Sequence, residues 1–502
     1  MNIVIGYGLV AVFLILVVVV LEKTSKRPAS GFSDYATGGR SFGSWFQAMS
    51  FMNTWLPGSI FVAFAAGVVA GGAIGFYVLL YSLLAAMIMF FMAGPVHVWG
   101  VKFDLRTQAD LLGFRYQSRA VRRTAAVIGL ACMFPWAILG FQSLSLVFQT
   151  LGYGSVSALA AIVISIVVLA FRQIWTVRMG MRGVVVSDMI QGIVAYGLGF
   201  VVILGMISWL IPNGYTLDQV PAEAFSLPGP GSELGPLYLM SIVGTGAIGG
   251  WCWPDIFVRL FTARSVSAIK KSAALAAPML MAFCSALLVM ALLASTMPGV
   301  QEDPISVWFT VTAIGGPVLV GFAGVCVIAA TMGNVDALIQ ASSAQITNDF
   351  GRETATADGV GETSLAKWGA VIITALAAVG ALLWGDGAGL NTLAIVSYAG
   401  IVQLAPTLYF GLFWRRGSSA AALASMISGF AVAALLQVLY PTSIPWLAGM
   451  TSGMAGLIVN ALVYIGCAYL VPQSKSESER VNTMFDAVTA SLGTAKPLSS
   501  AQ

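Results

Sequence analysis

Charge is what this chain has least of. Asp, Glu, Lys and Arg make up 9% of its 502 residues, where a soluble domain carries about 25%. Histidine occurs once, at His97. That excludes a multi-histidine metal centre and leaves hydrolytic chemistry without a base at triad spacing. The five cysteines (Cys132, Cys252, Cys284, Cys326, Cys467) all fall inside apolar runs without metal-ligand spacing and read as small packing residues. A net charge of +4 argues against a nucleic-acid partner. What remains is 58% hydrophobic, with a mean hydropathy of +0.90. The chain reads as an all-α polytopic membrane protein whose partners are the lipid bilayer and a small solute.

Apolar runs of about 20 residues, the length that spans a bilayer, give thirteen segments: 3–22, 44–70, 74–99, 124–150, 155–174, 184–211, 236–262, 272–296, 314–347, 366–385, 389–413, 418–440 and 444–470. No basic stretch precedes the first, so a retained helix is expected rather than a cleaved signal. Lys and Arg are missing from every second connection: 71–73, 151–154, 212–235, 297–313, 386–388 and 441–443. The alternate set holds Lys23, Lys26, Arg27 and Arg40, the group from Lys102 to Arg123, then Arg172, Arg178 and Arg182, Arg264, Lys270 and Lys271, Arg352 and Lys367, and Arg415 and Arg416. Cytoplasmic loops carry the excess of Lys and Arg. The expectation is therefore an N-terminus outside and a C-terminus inside the plasma (inner) membrane. The Pro/Gly-rich, acidic 212–235 loop is long enough to cover a vestibule. A single transmembrane domain over 1–470 would leave 471–502 as a flexible cytoplasmic tail.

The polar residues that do enter the membrane concentrate in Ala329–Asp349. At about 100° per residue, Asp336, Gln340, Ser343 and Thr347 share one face, and Thr331, Asn334, Ser342 and Gln345 share roughly the opposite one. Such a helix has no lipid-facing side and belongs at the centre of a bundle. Its hydroxyls and amides read equally as interhelical glue. Asp336 costs on the order of 3 kcal/mol to insert and is a functional candidate by default.

Two segments carry interruptions: Asn53-Thr54-Trp55-Leu56-Pro57-Gly58 in 44–70, and Gly244, Gly246, Gly249 and Gly250 followed by Trp253-Pro254-Asp255 in 236–262. Proline removes a donor and glycine loosens the helix, so both are expected to unwind. They open two successive five-helix blocks, 44–211 and 236–413, which an odd number of crossings sets in opposite orientation; 418–470 adds two helices. Matched breaks in inverted repeats point to a transporter's binding site.

Four motifs then resemble the sodium:solute symporter family (solute carrier family 5). They are Tyr35-Ala-Thr-Gly-Gly-Arg-Ser41, Gly180–Gln191, Pro254–Ala263, and Met332-Gly333-Asn334-Val335-Asp336 continuing through Ser342, Ser343, Thr347 and Asp349. The resemblance implies a LeuT-type 5+5 inverted repeat, no enzymatic activity, and symport of a small organic solute with Na+ or H+ as coupling ion and no other cofactor. It carries the principal sodium site to Asn53, Leu56, Ala330, Gly333 and Asn334. Here the sequence departs from the pattern. Gly333-Asn334 stands where the family has a hydroxyl pair, and Trp55 where proline permeases have an aspartate. A hard cation wants about five or six oxygens, by analogy with other hard cations. Asn53 and Asn334 can each offer an amide oxygen, but Gly333 offers no side-chain oxygen.

Asp188 and Asp336 match family aspartates and, with Gln340 and Ser343, are expected to form one hydrated cluster holding a cation or a proton. Asp188 reads alternatively as an acid stabilising its own helix start. Substrate candidates are Thr54, Trp55 and Pro57, Trp136 and Gln142, and Trp251, Trp253 and Asp255. Half-helix ends suit a carboxylate and aromatic walls exclude water. The same aromatics read as packing or belt residues, and Asp255 reads also as a helix cap or the i,i+4 partner of Arg259.

Overall fold

The computed structural model describes residues 1–24, 29–351, 360–383, 396–471 and 473–493. The expected connection 386–388, the start of the 389–413 segment, Lys26, Arg27, Arg352 and the chain from 494 lie outside the described residues. Among the described residues the only extended pairings are two isolated bridges, Phe42 with Ala263 and Ile444 with Met450. All else that is regular is helical, as lipid requires of a backbone that must satisfy its own polar groups.

In chain order the principal helices are α1 (Asn2–Thr24), α2 (Ser44–Trp55), α3 (Ala63–Gly71), α4 (Tyr77–Lys102), α5 (Gln108–Tyr116), α6 (Arg119–Leu151), α7 (Ala158–Met179), α8 (Met181–Gly192), α9 (Gly199–Leu210), α10 (Tyr238–Gly249), α11 (Pro254–Thr262), α12 (Val266–Ala294), α13 (Gly316–Phe350), α14 (Val360–Leu383), α15 (Ala405–Phe413), α16 (Ser419–Leu439), α17 (Ser452–Leu470) and α18 (Lys475–Gly493). Among the described residues, eleven helical stretches are long and apolar enough to cross a membrane. Starts are set locally by side-chain caps: Ser118, Ser157, Ser265 and Ser418 each accept from the backbone N–H three residues on. Each such cap contributes about 1 kcal/mol.

Both glycine/proline segments are interrupted where their prolines stand. α2 ends at Trp55, and Leu56 and Pro57 run extended before the chain turns back into helix. α10 passes through a tight turn at Gly250–Cys252, and Trp253 is extended before Pro254 opens α11. The residue ahead of a proline is pushed out of the helical region by the proline ring, so one steric rule sets both breaks. A third irregularity, which the sequence reading did not anticipate, is a π turn at Ile193–Leu198 joining α8 to α9.

α13 lies in the middle. Of its most apolar window 83% is buried, against 22% for the peripheral α1. Both polar stripes meet protein: Asn334 donates to the Thr54 carbonyl (2.9 Å) on one side, and Gln173 of α7 donates to Asp336 (2.6 Å) on the other.

At the end rich in basic residues, side chains lash the elements together. Arg122 of α6 donates to Asp349 Oδ1 at the close of α13 (2.7 Å) and pairs with Asp110 of α5 (3.2 Å). Thr107 donates to Asp349 Oδ2 (2.9 Å). The Phe42–Ala263 bridge ties the start of α2 to the end of α11. At the other end the 212–235 loop folds back, with Ala224 against Gly72 and Gly235 against Ala448.

The expectation of a flexible tail from 471 is corrected over 475–493. α18 buries Val481, Met484 and Val488, lays Phe485 on Trp99 (5.8 Å), and pairs Asp486 with Arg415 (2.7 Å). Its polar composition hid three apolar residues at helical spacing, one stripe among Ser, Glu and Thr.

Candidate functional site

Breaking a helix frees carbonyls, and in this bundle side chains take them up. Tyr196, on the π turn, donates its hydroxyl to the Leu56 carbonyl (2.6 Å) and lies 3.2 Å from that of Met52. Asn334 takes the Thr54 carbonyl. Asn53, fully buried, donates to Asp188 (3.1 Å) and Gln191 (3.2 Å). A Cβ on Gly333 would overlap the Asn53 carboxamide, so the missing side chain at 333 is the space that Asn53 fills. The five residues expected as the principal sodium site, Asn53, Leu56, Ala330, Gly333 and Asn334, thus lie around one break, where the Asn53 amide, the Leu56 carbonyl and the Asn334 amide nitrogen are each bonded to protein neighbours.

Asp188 and Asp336 are near enough for their charges to interact, but no direct bond joins them, and Gln340 and Ser343 bond to backbone carbonyls instead. Each has its own arginine. Asp188 accepts from Ser50 (2.5 Å) and Asn53 and pairs with Arg259 at 3.3 Å, both side chains fully buried. Asp336 pairs with Arg172 at 2.8 Å, again fully buried, and accepts from Gln173. Gln340 donates to the Tyr35 carbonyl (3.4 Å) and Ser343 to the Gln340 carbonyl (2.9 Å). A buried carboxylate is tolerated when an opposite charge and hydrogen bonds replace water, and both sites meet that requirement within the protein. The i,i+4 pairing of Asp255 with Arg259 is not formed: Arg259 reaches across to Asp188 and donates to Thr54 (2.8 Å).

Between the two breaks lies a small cavity lined by Thr54, Trp55, Pro57, Trp136, Trp253, Asp255, Ile256, Asn334, Leu338 and Tyr398. A second, smaller space adjoins it through Pro57, Trp136 and Asn334. Thr54, Trp55, Pro57, Trp136, Trp253 and Asp255 are brought together as the sequence reading grouped them. Trp251 is not: it is buried away from the cavity, stacked on Phe51 (5.4 Å) with its indole N–H on the Ala85 carbonyl (2.9 Å). Gln142 lines neither space.

Tyr398, Leu338 and Ile256 were missed. Ile256 and Leu338 look like ordinary core residues in sequence. Tyr398 sits in the segment before α15 with no motif around it, and only packing carries it to Trp136 (5.6 Å) and Trp253 (5.4 Å). Arg172, Gln173, Tyr196 and Gln191 were missed as partners for the same reason. Trp136 and Trp253 complete the triangle at 6.0 Å, and all three ring pairs are near-perpendicular. The Trp136 indole N–H and Asp255 Oδ1 are buried without a hydrogen-bond partner.

Comparisons with known proteins agree with this architecture. The chain is 22% identical over 463 residues to an uncharacterised symporter, YodF, of Bacillus subtilis (strain 168), covering 89% of each. It is 23% identical over 479 residues to a sodium/proline symporter of Staphylococcus aureus, covering 91% of each. Among solved structures, a substrate-bound, outward-open Na+-coupled sialic acid symporter superposes with a TM-score of 0.76 at 16% identity, over 94% of this chain and 98% of that one. MhsT in complex with L-phenylalanine gives 0.55 at 14%, over 85% and 99%. The Sodium:solute symporter family model matches residues 35–429. With that match across most of its length, the chain belongs to the sodium:solute symporter family, a family of transporters rather than enzymes.

Proposed function

We propose that the protein is a secondary active transporter of the plasma membrane that imports a small organic solute with a cation by alternating access. In this reading thirteen passes form a 5+5 inverted repeat with the N-terminus outside and the C-terminus in the cytoplasm. The observation that carries it is the cavity between the two helix breaks, walled by both broken helices together with α6, α13 and Tyr398. Only a site built from elements of both halves can change its exposure when the halves move against each other. The membership and the sodium/proline relative favour cation coupling, with Na+ or H+ as the ion.

A second reading keeps the cavity and drops the coupling. Among the residues matching the family's sodium site, Leu56, Asn53 and Asn334 are bonded to other protein groups, and Gly333 supplies no side-chain oxygen, which favours a facilitator or a proton-coupled carrier. Uptake into proteoliposomes separates these. Accumulation above equilibrium under a sodium gradient or a pH gradient, abolished by Trp253→Ala, supports symport and names the ion. Uptake that reaches but never exceeds equilibrium under every gradient supports the facilitator. If no solute from a panel of amines, carboxylates and sugars enters faster than into protein-free vesicles, transport itself is rejected.

A further inference from the structure

The cavity walls carry one acid and no base. Asp255 is 2% exposed and stands in the first turn of α11, beside the backbone N–H groups of Asp255 and Ile256. A solute carboxylate would seek that half-helix end, but a protein carboxylate already holds the position and would repel it. Asp255 Oδ1 has no hydrogen-bond partner. Arg259, one turn further on, is engaged by Asp188 and Thr54. It makes no ion pair with Asp255, although its charge acts on that acid from one turn away.

Three rings surround the same space. Trp136, Trp253 and Tyr398 form a triangle with centroid separations of 5.4–6.0 Å and interplanar angles of 81–88°. Trp55 adds a fourth wall, and its indole N–H is spent on Ser82 (2.8 Å). Electron-rich ring faces with a carboxylate behind them stabilise an organic cation, above all a methylated ammonium that is too weakly hydrated to be held by water.

We propose that the solute carries an ammonium group, quaternary or methylated, enclosed by Trp136, Trp253 and Tyr398 and neutralised by Asp255. The proposal rests on the transporter reading of this cavity and replaces the carboxylate that the half-helix ends suggested. The unpartnered Trp136 N–H is placed to donate to an oxygen on the same solute, either a hydroxyl of a cation or a carboxylate of a zwitterion.

The test is binding to the purified full-length chain, followed by thermal shift and calorimetry. The probes are choline, glycine betaine, the neutral isostere 3,3-dimethyl-1-butanol, and lactate as a carboxylate without ammonium. Choline or glycine betaine is expected to bind at least ten-fold more tightly than the isostere and lactate; which of the two binds separates cation from zwitterion. Asp255→Asn is expected to weaken that binding at least ten-fold, Trp253→Leu likewise, and Trp253→Phe by much less. The proposal is overturned if the isostere matches choline and betaine, if neither ammonium probe binds, or if a folded Asp255→Asn binds them unchanged. The probe comparison uses the unaltered protein, so it decides even if the variants do not fold. Accumulation of a carboxylate or a sugar by a protein that binds no ammonium probe removes the ammonium and leaves the transporter standing. Failure of every solute to enter faster than into protein-free vesicles removes the transporter.

Discussion

At Gly333 the place of a side chain is taken by Asn53, whose amide reaches Asp188 and Gln191 through the gap. Gly333→Ser would restore a hydroxyl but collide with that amide. Overpacking of this kind costs about 1–3 kcal/mol, and a lowered melting temperature in detergent is the expected result. The same substitution in an Asn53→Ala background should cost much less, because residues in contact are not additive. Equal losses in both backgrounds would mean that Asn53 does not occupy the gap. Arg259 gives a second expectation. Arg259→Ala leaves Asp188 charged and alone, a loss of about 3–5 kcal/mol, whereas Asp188→Asn with Arg259→Gln removes both charges together and should melt closer to the unaltered protein. A double variant no better than the single would show that the pair is not the source of the loss.

Helices and their ends carry the next level. α13 is packed on all sides because its two polar faces meet α7 on one side and the first break on the other. Its closing residues, Asn348 and Asp349, are clamped by Arg122 and Thr107. Arg122→Ala is expected to loosen this clamp and admit solvent from the basic end. The readout is maleimide labelling of Thr54→Cys in a background without the five native cysteines, which should rise several-fold from the side of the basic end; unchanged labelling would show that the clamp does not close that end. α18 is attached by a narrow stripe on α4 and by polar contacts, among them Lys102 Nζ to the Ala487 carbonyl (3.1 Å) and Arg480 to that of Arg115 (3.1 Å). Truncation after 471 should lower the melting temperature by a few degrees without abolishing solute binding. Lost binding would assign α18 a part in the site that its contacts do not suggest.

For the molecule as a whole, the facilitator or proton-coupled reading predicts that sodium and potassium chloride give the same melting temperature in the absence of solute. An ion that binds only the folded state raises stability by mass action, so a sodium-specific rise would restore the family's usual ion site. Much of the architecture was legible in the chain itself. Scarcity of charge and apolar runs of spanning length require helices, because lipid leaves backbone groups no other partner. Leu56-Pro57 and Trp253-Pro254 break because a proline ring acts on its immediate neighbour, and Ala329–Asp349 is central because it offers lipid no face. These are consequences of local chemistry, and a sequence states local chemistry directly. The pairing of Asp188 with Arg259, and of Asp336 with Arg172, the filling of Gly333 by Asn53, and the arrival of Tyr398 beside Trp136 and Trp253 join residues 71 to 280 positions apart. Each side chain had several plausible partners in sequence, and packing of the helices allowed one. The chain determined that two breaks face a buried space; the tertiary structure decided that its walls are aromatic, that Asp255 is the one acid among them, and that Asn53 takes the place of a side chain at Gly333.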